Sequence, residues 1–277
     1  MPETQKPEVR YHMLRPAQIV ARRKECSVAY IPIGTLEWHG VHNPLGADTL
    51  QAEGIAIRCA EEGGGLVFPP LYYGESRSEA LMEANPGVGR QIAELMEVPP
   101  ENYIPERQPF TQTEQVINYH KLLLHILVEA ETLGFDLAVI VAGHYPLIDH
   151  ARAAVLQFSQ RRYGRPEKML AWAFVDYQLV HDTYPTAGDH AGGWETSHVM
   201  ALHPQTVDLS LLPPRDEQPV GVGFRIHPLD STPEFGRDTI EKAVEVAVKE
   251  VHHRLKNRQE YMGHGNSLRE GLWKKGS

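Results

Sequence analysis

Residues 28–49 read Val28-Ala-Tyr-Ile-Pro-Ile33-Gly34-Thr35-Leu-Glu37-Trp-His39-Gly-Val-His42-Asn-Pro-Leu-Gly-Ala-Asp48-Thr49. The apolar run Val28 to Ile33 predicts a buried strand, ended by Gly34. The stretch after it crowds Glu37, His39, His42 and Asp48 into twelve residues. Side chains two apart on an extended chain point the same way, so Glu37 and His39 can face one point in space. Carboxylate and imidazole donors together suit Zn²⁺, Mn²⁺ or Fe²⁺ better than Mg²⁺ or Ca²⁺, which prefer oxygen alone. A polar loop can also collect two histidines and two acids by chance, so this stretch alone admits both readings.

Working outward, Thr49 to Ala60 carries the helical stripe Ala52, Ile55, Ala56 and Cys59, and Gly63-Gly64-Gly65 ends it. Leu66 to Tyr73 reads as a strand interrupted or ended by Pro69-Pro70. Residues 75–110 are charged, weakly periodic and broken by Pro86, Pro99, Pro100, Pro105 and Pro109, an excursion that is either a lid or an interface arm. Thr111 to Glu114 is a capping box, and Val116, Tyr119, His120, Leu123, Leu124, Leu127 and Val128 predict a long amphipathic helix stopping near Gly134. Asp136 to Gly143 is apolar on both faces, as a central parallel strand must be, with His144 at its end. Ile148 to Tyr163 reads as a helix and Met169 to Val175 as a strand. A polar loop runs to Gly193, and helices are expected at Trp194 to Leu202 and at Asp238 to Lys256.

This alternation predicts one α/β domain over residues 1–277, a mostly parallel sheet in an α/β/α layering, with the arm at 75–110 inserted. In such sheets ligands bind beyond the carboxyl ends of the strands. Glu37 and His39, then His144, then the loop Asp189 to Ser197 all fall there, and their agreement outweighs any one of them.

Composition narrows the function. The chain has 277 residues, 42% of them hydrophobic and 23% charged, ordinary for a globular protein. A formal charge of −9 argues against a nucleic-acid partner, which needs a clustered basic surface. Cys26 and Cys59 form no disulfide framework or thiolate knuckle, and Cys59 falls on the apolar side of its helix. No apolar run is long enough for a membrane span and Met1 to Lys6 has no signal-peptide core, so a cytoplasmic location is expected.

Three segments resemble the creatininase family of metal-dependent amidohydrolases: Glu37-x-His39-Gly-x-His42-x-Pro44 with Asp48, Ala142-Gly143-His144 after a strand, and His190-Ala-Gly-Gly-Trp-Glu195-Thr-Ser197. The likeness spans roughly residues 28 to 210 in the family's order. It implies the layered α/β/α fold, a homo-oligomer (often a hexamer), and two divalent cations, Zn, Mn or Fe. Glu37, His39, Asp48 and His144 match family ligand positions, with Asp48 as the bridging carboxylate. Creatinine-hydrolysing members carry a Glu two residues after the strand-end His, where this chain has Pro146. Proline cannot ligate, and Glu195 is the natural replacement.

The implied chemistry is attack of a metal-activated water on a polarised carbonyl, with His190 handing a proton to the leaving group. His190 could instead simply cap its loop. His42 reads as orienting a ligand through a hydrogen bond. Trp194 is pocket wall or core, His120 and His125 are structural, and His252-His253 decorate a solvated helix. The expected substrate is a small polar cyclic amide, formamide or cyclic ketone, preferred to creatinine because the arm offers Glu75, Arg77, Glu79, Arg90 and Tyr103 to hydroxyl groups. Carbon–carbon cleavage of a diketo-inositol-type sugar has the same mechanistic needs. The rival from another class is a non-catalytic assembly protein that keeps the metal fold.

Overall fold

The structure, a computed structural model, describes residues 7–75, 86–103, 107, 109–160 and 169–261. Among these, four parallel strands form one sheet: β1 (Val28–Ile33), β2 (Leu66–Val67), β3 (Leu137–Ala142) and β4 (Leu170–Val175), in the order β2-β1-β3-β4. Side chains alternate between its faces with period two. Ala29, Ile31 and Ile33 of β1 and Ala138, Ile140 and Ala142 of β3 pack under α4 (Gln112–Thr132) and α5 (Leu147–Gln160). Val28 and Tyr30, with Leu137, Val139 and Val141, pack under α2 (Ala47–Gly63) and α8 (Pro233–Lys256). Helices cover both faces, which is why β1 and β3 read as unbroken apolar runs. The expected α/β/α layering is the one observed, and Cys59 is core.

Register levels the strand ends. β1 pairs with β3 from Val28↔Leu137 to Ile33↔Ala142, and β3 with β4 from Leu137↔Leu170 to Ala142↔Val175. Gly34, Gly143 and Asp176 therefore leave the sheet along one edge. A Cβ on Gly143 would lie 1.8 Å from the Asp48 carbonyl oxygen, and one on Gly34 would lie 2.4 Å from Thr49 Oγ1. Glycine at both strand ends lets the first turn of α2 seat between them, carrying Asp48 to the edge.

Several boundaries differ from expectation. The strand foreseen at Leu66 to Tyr73 is only the pair Leu66–Val67 plus a bridge from Leu71 to Ile33, because Pro69 and Pro70 have no N–H to donate. The loop after β4 contains a short helix, α6 (Asp176–Val180). The last helix begins at Pro233, where Thr232 caps it through the Phe235 N–H, rather than at Asp238. Within the arm, α3 (Gly89–Leu95) buries Ile92 and Ala93. Arg90 is exposed and paired with Glu94 at 3.1 Å, and Glu75 is buried. Arg77, Glu79 and the Tyr103 side chain lie outside the described residues.

Candidate metal centre

Five buried side chains from four elements meet at the carboxyl edge. Glu37 and His39 come from the loop after β1, Asp48 from the first turn of α2, His144 from the residue pair after β3, and Glu195 from the first turn of α7 (Gly193–Leu202). They form two donor sets. His39 Nε2 lies 3.0 Å from Asp48 Oδ1 and 3.3 Å from Glu195 Oε2. His144 Nδ1 lies 2.8 Å from Glu37 Oε2 and 3.2 Å from Asp48 Oδ2. Asp48 divides its two oxygens between these sets, each of which could hold a metal ion, as could a third group of Glu37, His39 and His190.

The donor chemistry fits a cation. His39 Nδ1 is 3.1 Å from the Glu37 carbonyl oxygen, which can only accept. Nδ1 therefore carries a proton, and Nε2 is the atom turned toward the two carboxylates, a place that suits a proton or a cation. His39 Nε2, Glu37 Oε2 and Asp48 Oδ2 are buried away from water, and the polar atoms facing them belong to this same group of acids and imidazoles. Such groups are expensive to bury unless they are paired or coordinate a metal. Burial opposes a charged His39, but the Asp48 and Glu195 carboxylates outweigh it and raise the imidazole well above its ordinary value. Burial also works against ionised Asp48, yet His39 and His144 hold its carboxyl below the usual range.

His190 stands at the open side of this cluster, and its ring lies 4.6 Å from that of His39. Its Nε2 donates to the Trp38 carbonyl at 2.8 Å, which turns Nδ1 toward the cluster, 3.9 Å from Glu37 Oε1. Its backbone pairs with Gly223 in both directions, at 2.7 and 2.9 Å. Trp38 Nε1 donates to the Val220 carbonyl at 2.7 Å. A strap at 220–223 thus ties His190 to the ligand loop. Ile92 of α3 reaches the strap at Gly221, whose positive φ of 65° suits glycine. By that contact the arm adjoins the site.

The approach to α7 is fixed by hydrogen bonds behind Glu195. Ala191 adopts a left-handed φ of 56°, strained for a residue with a Cβ. Its N–H donates to Glu195 Oε2 at 2.8 Å, and its carbonyl accepts from Thr196 Oγ1 and His42 Nε2. Burial lowers His42 to about 4, so it works as a neutral donor. It holds the loop backbone that holds Glu195, rather than a ligand side chain directly. Asp189 caps α7, accepting from the Trp194 and Glu195 N–H groups at 2.9 and 3.1 Å. Burial, with the Glu195 charge, raises its carboxyl to about 7. The sequence reading assigned no role to Asp189, because an acid six residues before Glu195 falls outside capping-box spacing. Trp194 is core, its indole N–H on Asp176. Pro146 is exposed at the start of α5.

Fold and site together define a layered α/β hydrolase with a buried carboxylate–imidazole centre. The family model for creatininase, described as creatinine amidohydrolase, matches residues 12–251, and the chain belongs to that family, hydrolases of carbon–nitrogen bonds. A creatinine amidohydrolase of Pseudomonas putida is 28% identical over 243 residues, covering 81% of this chain and 86% of that one. A 3-dehydro-scyllo-inosose hydrolase of Thermotoga maritima is 39% identical over 57 residues, 21% of this chain and 18% of that one. A solved creatininase variant of Zn–Zn type superposes with a TM-score of 0.64 at 22% identity, covering 90% and 98% of the two chains.

Proposed function

We propose that this chain is a metal-dependent hydrolase of a small polar cyclic amide or formamide, holding two divalent cations of the Zn, Mn or Fe class. The supporting observation is the division of Asp48, with Oδ1 facing His39 and Glu195 and Oδ2 facing His144 and Glu37. His39, Asp48 and Glu195 would hold one ion, and Glu37, Asp48 and His144 the other. When bound, the ions supply Lewis acidity and bring a water's pKa toward neutrality. Glu195 stands in for the acid that Pro146 cannot provide.

The protein's own groups do the rest. His190, locked as the Nε2–H tautomer by the Trp38 carbonyl, takes a proton at Nδ1 and returns it to the leaving group. The strap at 220–223 keeps that ring in place and shields its far side. Pro146 and the arm separate this chain from creatinine-hydrolysing members, so a polyhydroxylated ring is favoured over creatinine. The local likeness to an inosose hydrolase keeps carbon–carbon cleavage of a cyclic ketone as the second reading. A non-catalytic assembly role does not account for a complete donor set gathered at the carboxyl edge of the sheet. The same family membership carries the proposals of a single domain, a cytoplasmic homo-hexamer and a small-molecule substrate. Among the described residues no helix is long and apolar enough to cross a membrane.

Elemental analysis of protein purified without chelator, with turnover measured on creatinine, formamidopyrimidines and polyhydroxylated cyclic ketones, tests this reading. Two metal equivalents and activity on the hydroxylated panel are expected. Metal-free protein that takes up none of these ions ends the proposal, and efficient creatinine hydrolysis alone overturns the substrate class.

A further inference from the structure

Trp38 stands between Glu37 and His39 in the chain, yet nothing above gives its own indole work. The residue is 5% exposed. Its carbonyl accepts from His190 Nε2 at 2.8 Å, and its indole Nε1 donates to the Val220 carbonyl at 2.7 Å. One residue thus touches both the proton carrier and the strap.

The strap is closed on every side. Gly223 exchanges two backbone hydrogen bonds with His190, and Gln218 Nε2 donates to the Val222 carbonyl at 2.7 Å. A Cβ on Gly221 would lie 2.6 Å from Trp38 Cδ1 and 3.3 Å from Ile92 Cδ1. One on Gly40 would lie 3.0 Å from Val222 Cγ2. Gly221 therefore fills the gap between the indole and the arm, with no room for a larger residue. The links run in a loop, from the His190 ring to the Trp38 carbonyl, from the indole to Val220, and from Gly223 back to the His190 backbone. An imidazole held by one hydrogen bond can swing about it. Here the acceptor and the imidazole's own backbone are fastened to the same four residues, and such close packing transmits displacement rather than absorbing it.

We propose that Trp38 is a positioning residue for His190, its indole anchoring the carbonyl that aims the imidazole, with Ile92 of the arm closing the clamp from outside. This rests on the hydrolase reading above, in which His190 moves the proton. Trp38 then acts on the chemical step and not on substrate binding.

Trp38→Phe, which removes the indole donor, and Gly221→Ala, whose Cβ meets the indole, test this in zinc-loaded protein. Both variants should keep parental metal content. On the best ring of the panel kcat should fall about 10–100-fold, the scale of a misplaced catalytic group, with KM nearly unchanged. Magnetic resonance on nitrogen-labelled histidine, assigned by the signal lost in His190→Ala, should show the His190 Nε2–H exchanging faster with water than in the parent. Parental kcat in a normally folded Trp38→Phe variant overturns the assignment. So does a lower melting temperature with unchanged kcat and exchange, the mark of a merely structural bond. A parent that turns over no ring ends the hydrolase reading and, with it, a role in proton transfer. An active parent with an indistinguishable variant removes Trp38 alone.

Discussion

The two ends of the sheet treat polar groups in opposite ways. At the amino end, side-chain N–H groups meet backbone carbonyls: Arg23 donates to Leu133 at the end of α4, His252 Nε2 to Gly63 at the end of α2 at 2.9 Å, and Arg258 Nη1 to Asp136, just before β3, at 3.2 Å. Positive side chains suit the negative ends of helix dipoles. His252, expected to be mere surface decoration, is part of this seam. An open hollow of about 800 Å³ lies there, lined by these same residues. At the carboxyl end acids and imidazoles meet one another instead, with Glu37 Oε2, His39 Nε2 and Asp48 Oδ2 buried in a cluster that also holds His144 and Glu195. That concentration of metal-ligating donors, not the hollow, singles out the end that could hold an ion.

The largest effect expected from this contrast is at Asp48. Asp48→Asn removes the one charge both donor sets share, so both metal equivalents should be lost and turnover should fall by more than about 10³-fold, the scale of removing a charge the transition state depends on. Elemental analysis and steady-state kinetics read this directly, and circular dichroism should show the fold retained. Full metal occupancy with parental turnover would break the comparison at its centre.

Glu195→Gln sharpens it. The amide oxygen can still accept from the Ala191 N–H, while the charge facing His39 is gone. One metal equivalent should be weakened selectively, with turnover reduced about 10–100-fold, the range seen when support of a metal site is perturbed. Equal weakening of both equivalents would show that the sets are not independent.

Much of this was readable before any coordinates. Strand runs Val28 to Ile33 and Leu137 to Ala142 are apolar on both faces because helices cover both, and that pattern is written in sequence. Glu37, His39 and His144 stood out because each follows a strand at the same edge, whereas Asp48 and Glu195 were singled out by the resemblance to creatininases; the structure brings the five together. The contacts that hold them were not readable. Asp189, Trp38 and the strap at 220–223 act through backbone carbonyls and N–H groups, which every residue has, and over separations of up to 182 residues.

A smaller effect tests the buried acid beside the site. Asp176 is buried just past β4, accepting from Trp194 Nε1 at 3.1 Å, and burial raises its carboxyl from 3.8 to about 6. Burial holds the neighbouring His198 near 3, so no positive partner appears in that window. Because the folded pKa exceeds the unfolded one, the unfolded chain releases this proton first as pH rises. The contribution is present below about pH 4 and is lost between about pH 4 and 6. Asp176→Asn should therefore gain stability relative to the parent across that interval, up to roughly 3 kcal/mol for two pKa units. Denaturant melts at pH 4 and pH 7 measure it, and a constant difference would show that Asp176 does not titrate there.

The smallest effect belongs to the opposite end of the sheet. Arg23 donates to the carbonyl of Leu133, the residue that closes α4, and its guanidinium lies against Gly134, where the chain turns with a φ of 82°. Arg23→Met keeps the packing of the stem while removing the donor and the charge. Since Arg23 is only half-buried, water replaces part of the lost bond, and the fold should lose about 1 kcal/mol. Metal content and kcat/KM should not move, because the seam and the centre lie at opposite strand ends with the six-residue strands β1 and β3 between them. A fall in turnover larger than the stability change explains would mean that the two ends are coupled through the sheet, and that the amino-end hollow belongs to the enzyme's working parts rather than to its scaffold.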